Sequence, residues 1–283
     1  MQTFVTRDEI SFWRKQLAQD QKKLGFVPTM GALHEGHLAL VQKASEENDV
    51  VLVSIFVNPK QFNQQADLHA YPRMLEADIE LLKVFKNVFV FAPNETEMFP
   101  QDLAFEPMQL GEIGSVLEGA KRPGHFDGVV HVVHHLFALI TPKNAYFGEK
   151  DFQQLAVIRK LNEHYQFGIN IVACPTKRDP DGLAMSSRNL RLSAKERHQA
   201  LSIFEALSFV QQNVGVLSID ATRKQAVSQI EKAGLVIDYL EIVDPNNLKC
   251  CTDWQAKQLC CVAAFCGEVR LIDNMLCESV KLP

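Results

Sequence analysis

The stretch Val27-Pro28-Thr29-Met30-Gly31-Ala32-Leu33-His34-Glu35-Gly36-His37 decides the fold. It starts inside an apolar run, Leu24–Thr29, passes through a glycine-containing turn and enters a helical pattern over Gly36–Asn48. A buried strand that turns directly into a helix is the repeating unit of open parallel sheets. Ligands of such sheets bind at the carboxyl ends of the strands. A helix N-terminus adds N–H donors and the positive end of a dipole, which favour phosphate. His34 and His37 are three residues apart and share one helical face. Gly36 between them lets a ligand approach the backbone closely. Two imidazoles so placed can donate hydrogen bonds to a triphosphate and to the transition state of attack on it.

The same alternation extends outward. Val50–Asn58, Val88–Ala92, Ala145–Phe147 and Ile169–Cys174 read as strands buried on both faces. Tyr71–Phe85, Phe126–Ile140 and Asp151–Tyr165 read as helices, the last with Asp151 as its N-cap. Residues 1–176 are therefore expected to form an α/β, Rossmann-like, doubly wound parallel sheet. The texture changes at Lys177–Gly182, a turn-rich hinge signal. Helices over Ser193–Asn213 and Ser218–Ala233 and strands over Val236–Val243, Leu259–Phe265 and Glu268–Asn274 follow, the last two as a hairpin about Cys266-Gly267. Residues 177–283 are expected to form a smaller C-terminal α+β domain.

Composition excludes several classes. The chain has 283 residues, 47% hydrophobic and 22% charged, which suits a globular protein with its own core. A net charge of −5 argues against a nucleic-acid partner. Charges within the first ten residues exclude a signal peptide, and no apolar run reaches the ~18 residues of a membrane span. A cytoplasmic protein is expected. Six of the seven cysteines lie after residue 249, with no Cys-x-x-Cys pair, so they read as reduced core thiols rather than a zinc site.

His34-Glu35-Gly36-His37 resembles the signature of the nucleotidylyl-transferase superfamily, and Met185-Ser186-Ser187-Arg188-Asn189 stands where that superfamily has a second phosphate loop. Two hydroxyls and a guanidinium suit a triphosphate there. PTMGALHEGH, SIFVNPKQF, AYPR, GAKRPGHFDGVV, FGEKDFQQL and DGLAMSSRN occur in this order between residues 24 and 192. Together they resemble the pantothenate synthetase family. The resemblance implies ATP-dependent condensation of pantoate with β-alanine through a pantoyl adenylate, with release of pyrophosphate and AMP, in a homodimer using Mg²⁺ with its ATP.

By position, the resemblance assigns catalytic roles to His37, His34, Lys150 and Arg188. It assigns ATP contacts to Met30, Gly31, Ala32, Leu33, Glu35, Gly36, Gly148, Glu149, Asp151, Lys177, Met185, Ser186 and Ser187 as well. Gln61, Gln154, Asn58, Tyr71 and Arg122 fall to pantoate and β-alanine; an amide suits them, since it donates and accepts at once. No protein ligand of the metal is assigned. Lys177 and Lys121 depart from the family pattern, and His131, His134 and His135 crowd one side of a helix. Another nucleotidylyl-transferase and a non-catalytic nucleotide-binding relative are the alternatives.

Overall fold

The computed structural model describes residues 1–278, so the last five positions of the expected 177–283 segment lie outside it. Its strands are β1 (Thr3–Phe4), β2 (Leu24–Thr29), β3 (Val50–Ile55), β4 (Val88–Phe91), β5 (Asn144–Gly148), β6 (Asn170–Cys174), β7 (Val236–Val243), β8 (Lys257–Cys266) and β9 (Val269–Glu278). Its helices are α1 (Arg7–Gln19), α2 (Glu35–Glu47), α3 (Gln65–Ala70), α4 (Leu75–Leu82), α5 (Glu95–Met98), α6 (Leu117–Lys121), α7 (His125–Ile140), α8 (Phe152–His164), α9 (Ala194–Gln199), α10 (Leu201–Gln212) and α11 (Ile219–Lys232). They fall into two compact units. One takes residues 1–110, 122–149 and 154–175; the other takes 111–121, 150–153 and 176 onward.

The first unit is the expected parallel α/β sheet, with strand order β1-β4-β3-β2-β5-β6. From β2 the chain builds outward through β3 and β4, then returns to place β5 on the other side of β2. The carboxyl ends of β2 and β5 therefore flank the topological switch point, where open sheets bind ligands. Val27, Val51, Val53 and Val90 pack with Val41 and Ala44 of α2 and Leu82 of α4 on one face. The alternate residue Phe26 turns the other way and meets Phe137 of α7 edge-on, centroids 6.4 Å apart.

Several boundaries differ from the sequence expectation for local reasons. The strand expected over Val50–Asn58 stops at Ile55, because the Asn58 side chain accepts from Lys60 N and opens a 3₁₀ turn at Pro59–Gln61. The helix expected over Tyr71–Phe85 begins only at Leu75; Pro72 holds Tyr71 extended (φ −69°, ψ 126°). Asp151 ends a 3₁₀ turn, Glu149–Asp151, and α8 begins one residue later. β1 and α1 go beyond the sequence expectation: β1 is too short to carry a period, and α1 is announced only by the Thr6/Glu9 capping box.

The second unit contains the antiparallel sheet β7-β8-β9. Gly267 and Glu268 close the β8–β9 hairpin, with Cys266 paired to Val269. The helix expected over Ser193–Asn213 breaks at Ala200 into α9 and α10. Residues 111–121 and 150–153, which a single cut at residue 176 would leave in the first unit, fall here. Gln153 explains it: its amide accepts from Glu118 N and donates to the carbonyls of Ile113 and Val116. Glu118 in turn pairs with Arg270 and accepts from the Tyr239 hydroxyl at 2.8 Å. The cysteines are free thiols, and burial raises Cys260, Cys261, Cys266 and Cys277. No helix among the described residues is long and apolar enough to cross a membrane.

The three clustered histidines belong to the aromatic packing of the first unit. His131 stacks on Phe105 (4.1 Å, 7°), and His134 meets Tyr165 and Phe167 edge-on. Burial, then the Lys60 charge for His131 and the neighbouring imidazoles for His135, lowers both groups from 6.5 to about 4. Neutral rings are thus favoured in the folded chain. The unfolded chain takes up these protons first as pH falls, so stability present above about pH 6.5 drains away towards pH 4. Urea denaturation of His131→Phe across that range should give a flatter decline than the parent protein; an equal slope would remove His131 from the acid sensitivity.

Candidate active site

At the carboxyl end of β2 the chain must leave a strand and start a helix within five residues. Gly31 (φ 77°) and Ala32 (φ 49°) both take the left-handed region to do so. A side chain on Gly31 would sit 2.9 Å from Asp78 Oδ2 and 3.0 Å from Ile55 Cγ2, so the position excludes a Cβ as well as favouring the φ. The turned backbone points two N–H groups inward, and the buried Asp78 carboxylate of α4 receives both: Ala32 N at 2.9 Å and Leu33 N at 2.7 Å. Burial raises the Asp78 carboxyl above its usual range, against these two bonds, which lower it. Thr29 Oγ1 donates to Ser54 O (2.7 Å) and accepts from Gly31 N (3.2 Å), tying the turn to β3.

This turn delivers the two histidines. His34 is the N-cap of α2; its Nδ1 accepts from Gly36 N at 3.1 Å, and His37 Nδ1 accepts from His34 N at 3.3 Å. The imidazole centroids are 4.1 Å apart. An imidazole whose Nδ1 accepts carries its proton, when neutral, on Nε2. Both rings are therefore set as Nε2–H donors at the positive end of a helix dipole, an arrangement suited to an anion.

Gln61 ends the 3₁₀ turn after β3 and is fixed from three directions. Its side chain donates to Met30 Sδ (2.9 Å) and accepts from Asn58 Nδ2 (3.1 Å). Its carbonyl accepts from Arg122 Nη2 (3.2 Å) and from His125 Nδ1 (2.8 Å), and Arg122 Nη1 reaches His125 Nε2 at 3.3 Å. Asn58 also donates to Gly128 O (3.0 Å). The turn lies so close to α7 that a Cβ on Gly128 would fall 2.2 Å from Lys60 O. Met30, Gln61, Asn58 and Arg122 are thereby one connected group. Tyr71 is buried, edge-on to Phe62 at 5.7 Å. Gln154 is partly buried on the first turn of α8, and the 3₁₀ turn that begins at Glu149 follows directly on Gly148, the end of β5.

The second unit holds the other expected residues. Lys150 lies in the Glu149–Asp151 turn, and its carbonyl accepts from Asn274 Nδ2 at 2.8 Å. Ser186 caps the Ser187–Arg191 3₁₀ helix by accepting from Arg188 N. Met185 N donates to Lys177 O (3.0 Å), and Asn189 Nδ2 to Ala184 O (3.0 Å), so the Lys177–Gly182 stretch doubles back on the serine loop. Asp151 is exposed. Asp78 and Asn274 are supports outside the sequence motifs, and His125 and Gly128 lie within GAKRPGHFDGVV without a role assigned to them there. For Asp78 a signal existed: it lies one turn from Leu82, on the face that α4 buries.

Comparison with known proteins follows the same lines. A family model described as Pantoate-beta-alanine ligase matches residues 2–276. A pantothenate synthetase of Bacteroides thetaiotaomicron is 48% identical over 90% of this chain and 91% of its own. One from Phocaeicola vulgatus is 46% identical over 97% and 99%. The crystal structure of pantothenate synthetase from Thermus thermophilus superposes with a TM-score of 0.91 at 42% identity, covering 97% of this chain and 99% of that one. The pantoate-beta-alanine ligase of Francisella tularensis, complexed with a beta-gamma ATP compound and beta-alanine, gives 0.82 at 37% identity, covering 98% and 97%.

Replacing Asp78 by alanine strips the acceptor from the buried Leu33 N–H and one bond from Ala32 N–H. A buried donor left unsatisfied costs about 1–3 kcal/mol. Asp78→Ala should therefore lower the urea midpoint by an amount of that order and weaken ATP binding in calorimetry. Unchanged stability and unchanged ATP affinity together would show that the turn holds its shape without the carboxylate.

Proposed function

Since the chain belongs to the pantoate–β-alanine ligase family, we propose that its ATP-dependent joining of pantoate to β-alanine runs through a pantoyl adenylate, with the two histidines of the β2–α2 turn as the central phosphate donors. In the first half-reaction a pantoate carboxylate oxygen attacks the α-phosphorus of ATP and pyrophosphate leaves. In the second, the amine of β-alanine attacks the activated carbonyl and AMP leaves. Neither step needs a side-chain nucleophile. The chain's work is placement and charge stabilisation.

The observation that carries this reading is the locked orientation of His34 and His37. With each Nδ1 engaged by a backbone N–H, each Nε2–H is set as a donor to the negative charge that grows on the phosphate oxygens. Met30, Gly31, Ala32, Leu33, Glu35 and Gly36 would present backbone around the nucleotide, with Gly148, Glu149, Asp151, Lys177 and Met185 supplying further contacts. Lys150, Ser186, Ser187 and Arg188 would take the remaining phosphate charge. Gln61, Asn58, Gln154, Tyr71 and Arg122 would bind pantoate and β-alanine. Gln61 is central among them, because its amide can meet both a hydroxyl and a carboxylate and its backbone is immobilised by Arg122 and His125.

Among the described residues no group of three or more His, Cys, Asp or Glu side chains is disposed to hold a metal ion. A Mg²⁺ that accompanies ATP would take phosphate oxygens and water as most of its ligands, and no step here is routed through it. The resemblance also carries the expectation of a homodimer in the cytoplasm.

Release of pyrophosphate and AMP from ATP, Mg²⁺ and pantoate, with β-alanine present or omitted, tests the reading. Pyrophosphate should form with pantoate, and sustained AMP release should require β-alanine too. Removing one such donor costs on the order of 10²–10³ in rate, so His37→Ala should slow pyrophosphate release by about that factor. Steady AMP release without β-alanine, or a His37→Ala protein at parental rate, would defeat it.

A further inference from the structure

Lys150 and the Ser186–Arg188 loop lie far apart in sequence, yet within the second unit one polar frame built on the β9 strand holds the backbone beneath both. Asp273 is 4% exposed, and Arg178 grips it with both guanidinium nitrogens: Nη1 to Oδ2 at 2.6 Å and Nη2 to Oδ1 at 3.0 Å. The same guanidinium reaches Asn274 O (3.2 Å) and Gly182 O (3.1 Å). Asp273 Oδ1 also accepts from Asn274 N at 2.8 Å, which fixes the Asn274 backbone from both sides. The Asn274 amide then donates to Lys150 O at 2.8 Å. In the other direction Arg178 pairs with Ala184 as an antiparallel bridge, and Ala184 O accepts from Asn189 at the far side of the serine loop. The Arg178 guanidinium lies over Phe204, its carbon 4.9 Å from the ring centre.

The frame is too specific for a general packing role. A bidentate arginine–carboxylate pair fixes orientation as well as distance. Its two outputs are a hydrogen bond to the carbonyl of one expected phosphate-binding residue and a strand pairing that leads into the loop carrying three more. None of these bonds uses the Lys150 side chain. We propose that Asn274, Asp273 and Arg178 are positioning residues for the triphosphate: through them β9 sets Lys150 and the Ser186–Arg188 loop in place for adenylate formation. The proposal rests on the reading that Lys150 and this loop bind the ATP phosphates. It also predicts a division of labour. Pyrophosphate release depends on the placement of the β- and γ-phosphate donors, whereas attack of β-alanine on the finished adenylate does not.

The test separates the half-reactions in the full-length protein. Pyrophosphate release from ATP and pantoate reports the first; AMP release from preformed pantoyl adenylate and β-alanine reports the second. Asn274→Leu keeps the side-chain shape and removes the donor to Lys150 O. A misplaced supporting group costs roughly 10–100-fold, so Asn274→Leu should slow the first half-reaction by that factor relative to the second. Arg178→Lys, which keeps the charge against Asp273 and loses the fork, should give the same asymmetry and serves if Asn274→Leu does not fold. Equal loss in both half-reactions would reveal a merely structural role and overturn the proposal. So would an unchanged first half-reaction in these variants while Lys150→Met abolishes it. If Lys150→Met itself leaves pyrophosphate release intact, the phosphate reading of Lys150 falls, and the proposal with it.

Discussion

A backbone that turns from strand to helix in five residues exposes its own N–H groups, and most of the first unit's site depends on where those groups are satisfied. Asp78 supplies the answer. Its two oxygens receive Ala32 N and Leu33 N, and that fixes the left-handed Ala32, a conformation costing on the order of 1–3 kcal/mol when nothing compensates. Once Ala32 is set, His34 falls at the N-cap of α2 and His37 one turn further on. Their rings then lock the first turn of α2 from both sides. A carboxylate raised by burial is a costly support, and its two oxygens give each of the two arriving N–H groups an acceptor of its own.

The second unit solves the complementary problem. There the groups to be held are carbonyls, of Lys150, Gly182 and Ala184, and the support comes from donors: the Asn274 and Asn189 amides and the Arg178 guanidinium. Asp273 bonds none of these carbonyls. It neutralises and orients the arginine that does. In both units, residues expected to meet a ligand are held through the backbone of their own turn. Gln61 follows the same rule, since Arg122 and His125 grip its carbonyl.

Much of this was legible in the sequence. Continuous apolar runs mark β2 and β7 with their bounds unchanged and β6 within one residue, because strands buried in a sheet or packed under helices leave little else for those residues to do. The turn residues Pro72 and Asn58 had clear local meanings but were overridden by the apolar period on either side. The residues expected to face a ligand were named by motif, while supports such as Asp78 were not, since a support is defined by its partner and Asp78 and Ala32 are 46 positions apart. Two supports did leave a trace. Asp78 sits on the buried face of α4, and Asp273 falls on the inward alternation set by Val269 and Leu271 in β9. An acid on an apolar face must find donors, and both found them in a loop expected to meet a ligand.

The histidines make the same argument from the opposite side. Three imidazoles on one side of a helix, His131, His134 and His135, make a metal site conceivable, although the sequence motifs assign roles only to His34 and His37. Their surroundings decide otherwise. Phe99, Phe105, Tyr165 and Phe167 pack against the three, and burial holds them below their usual range, two of them near pH 4. His34 and His37 instead spend one nitrogen each on backbone N–H groups, which assigns the proton to the other nitrogen and aims it along a helix dipole. An imidazole proposed as a phosphate donor is aimed here through the bond on its far side, so the direction in which the pair donates depends on the backbone of residues 34–36, which follows the turn that Asp78 holds at Ala32 and Leu33.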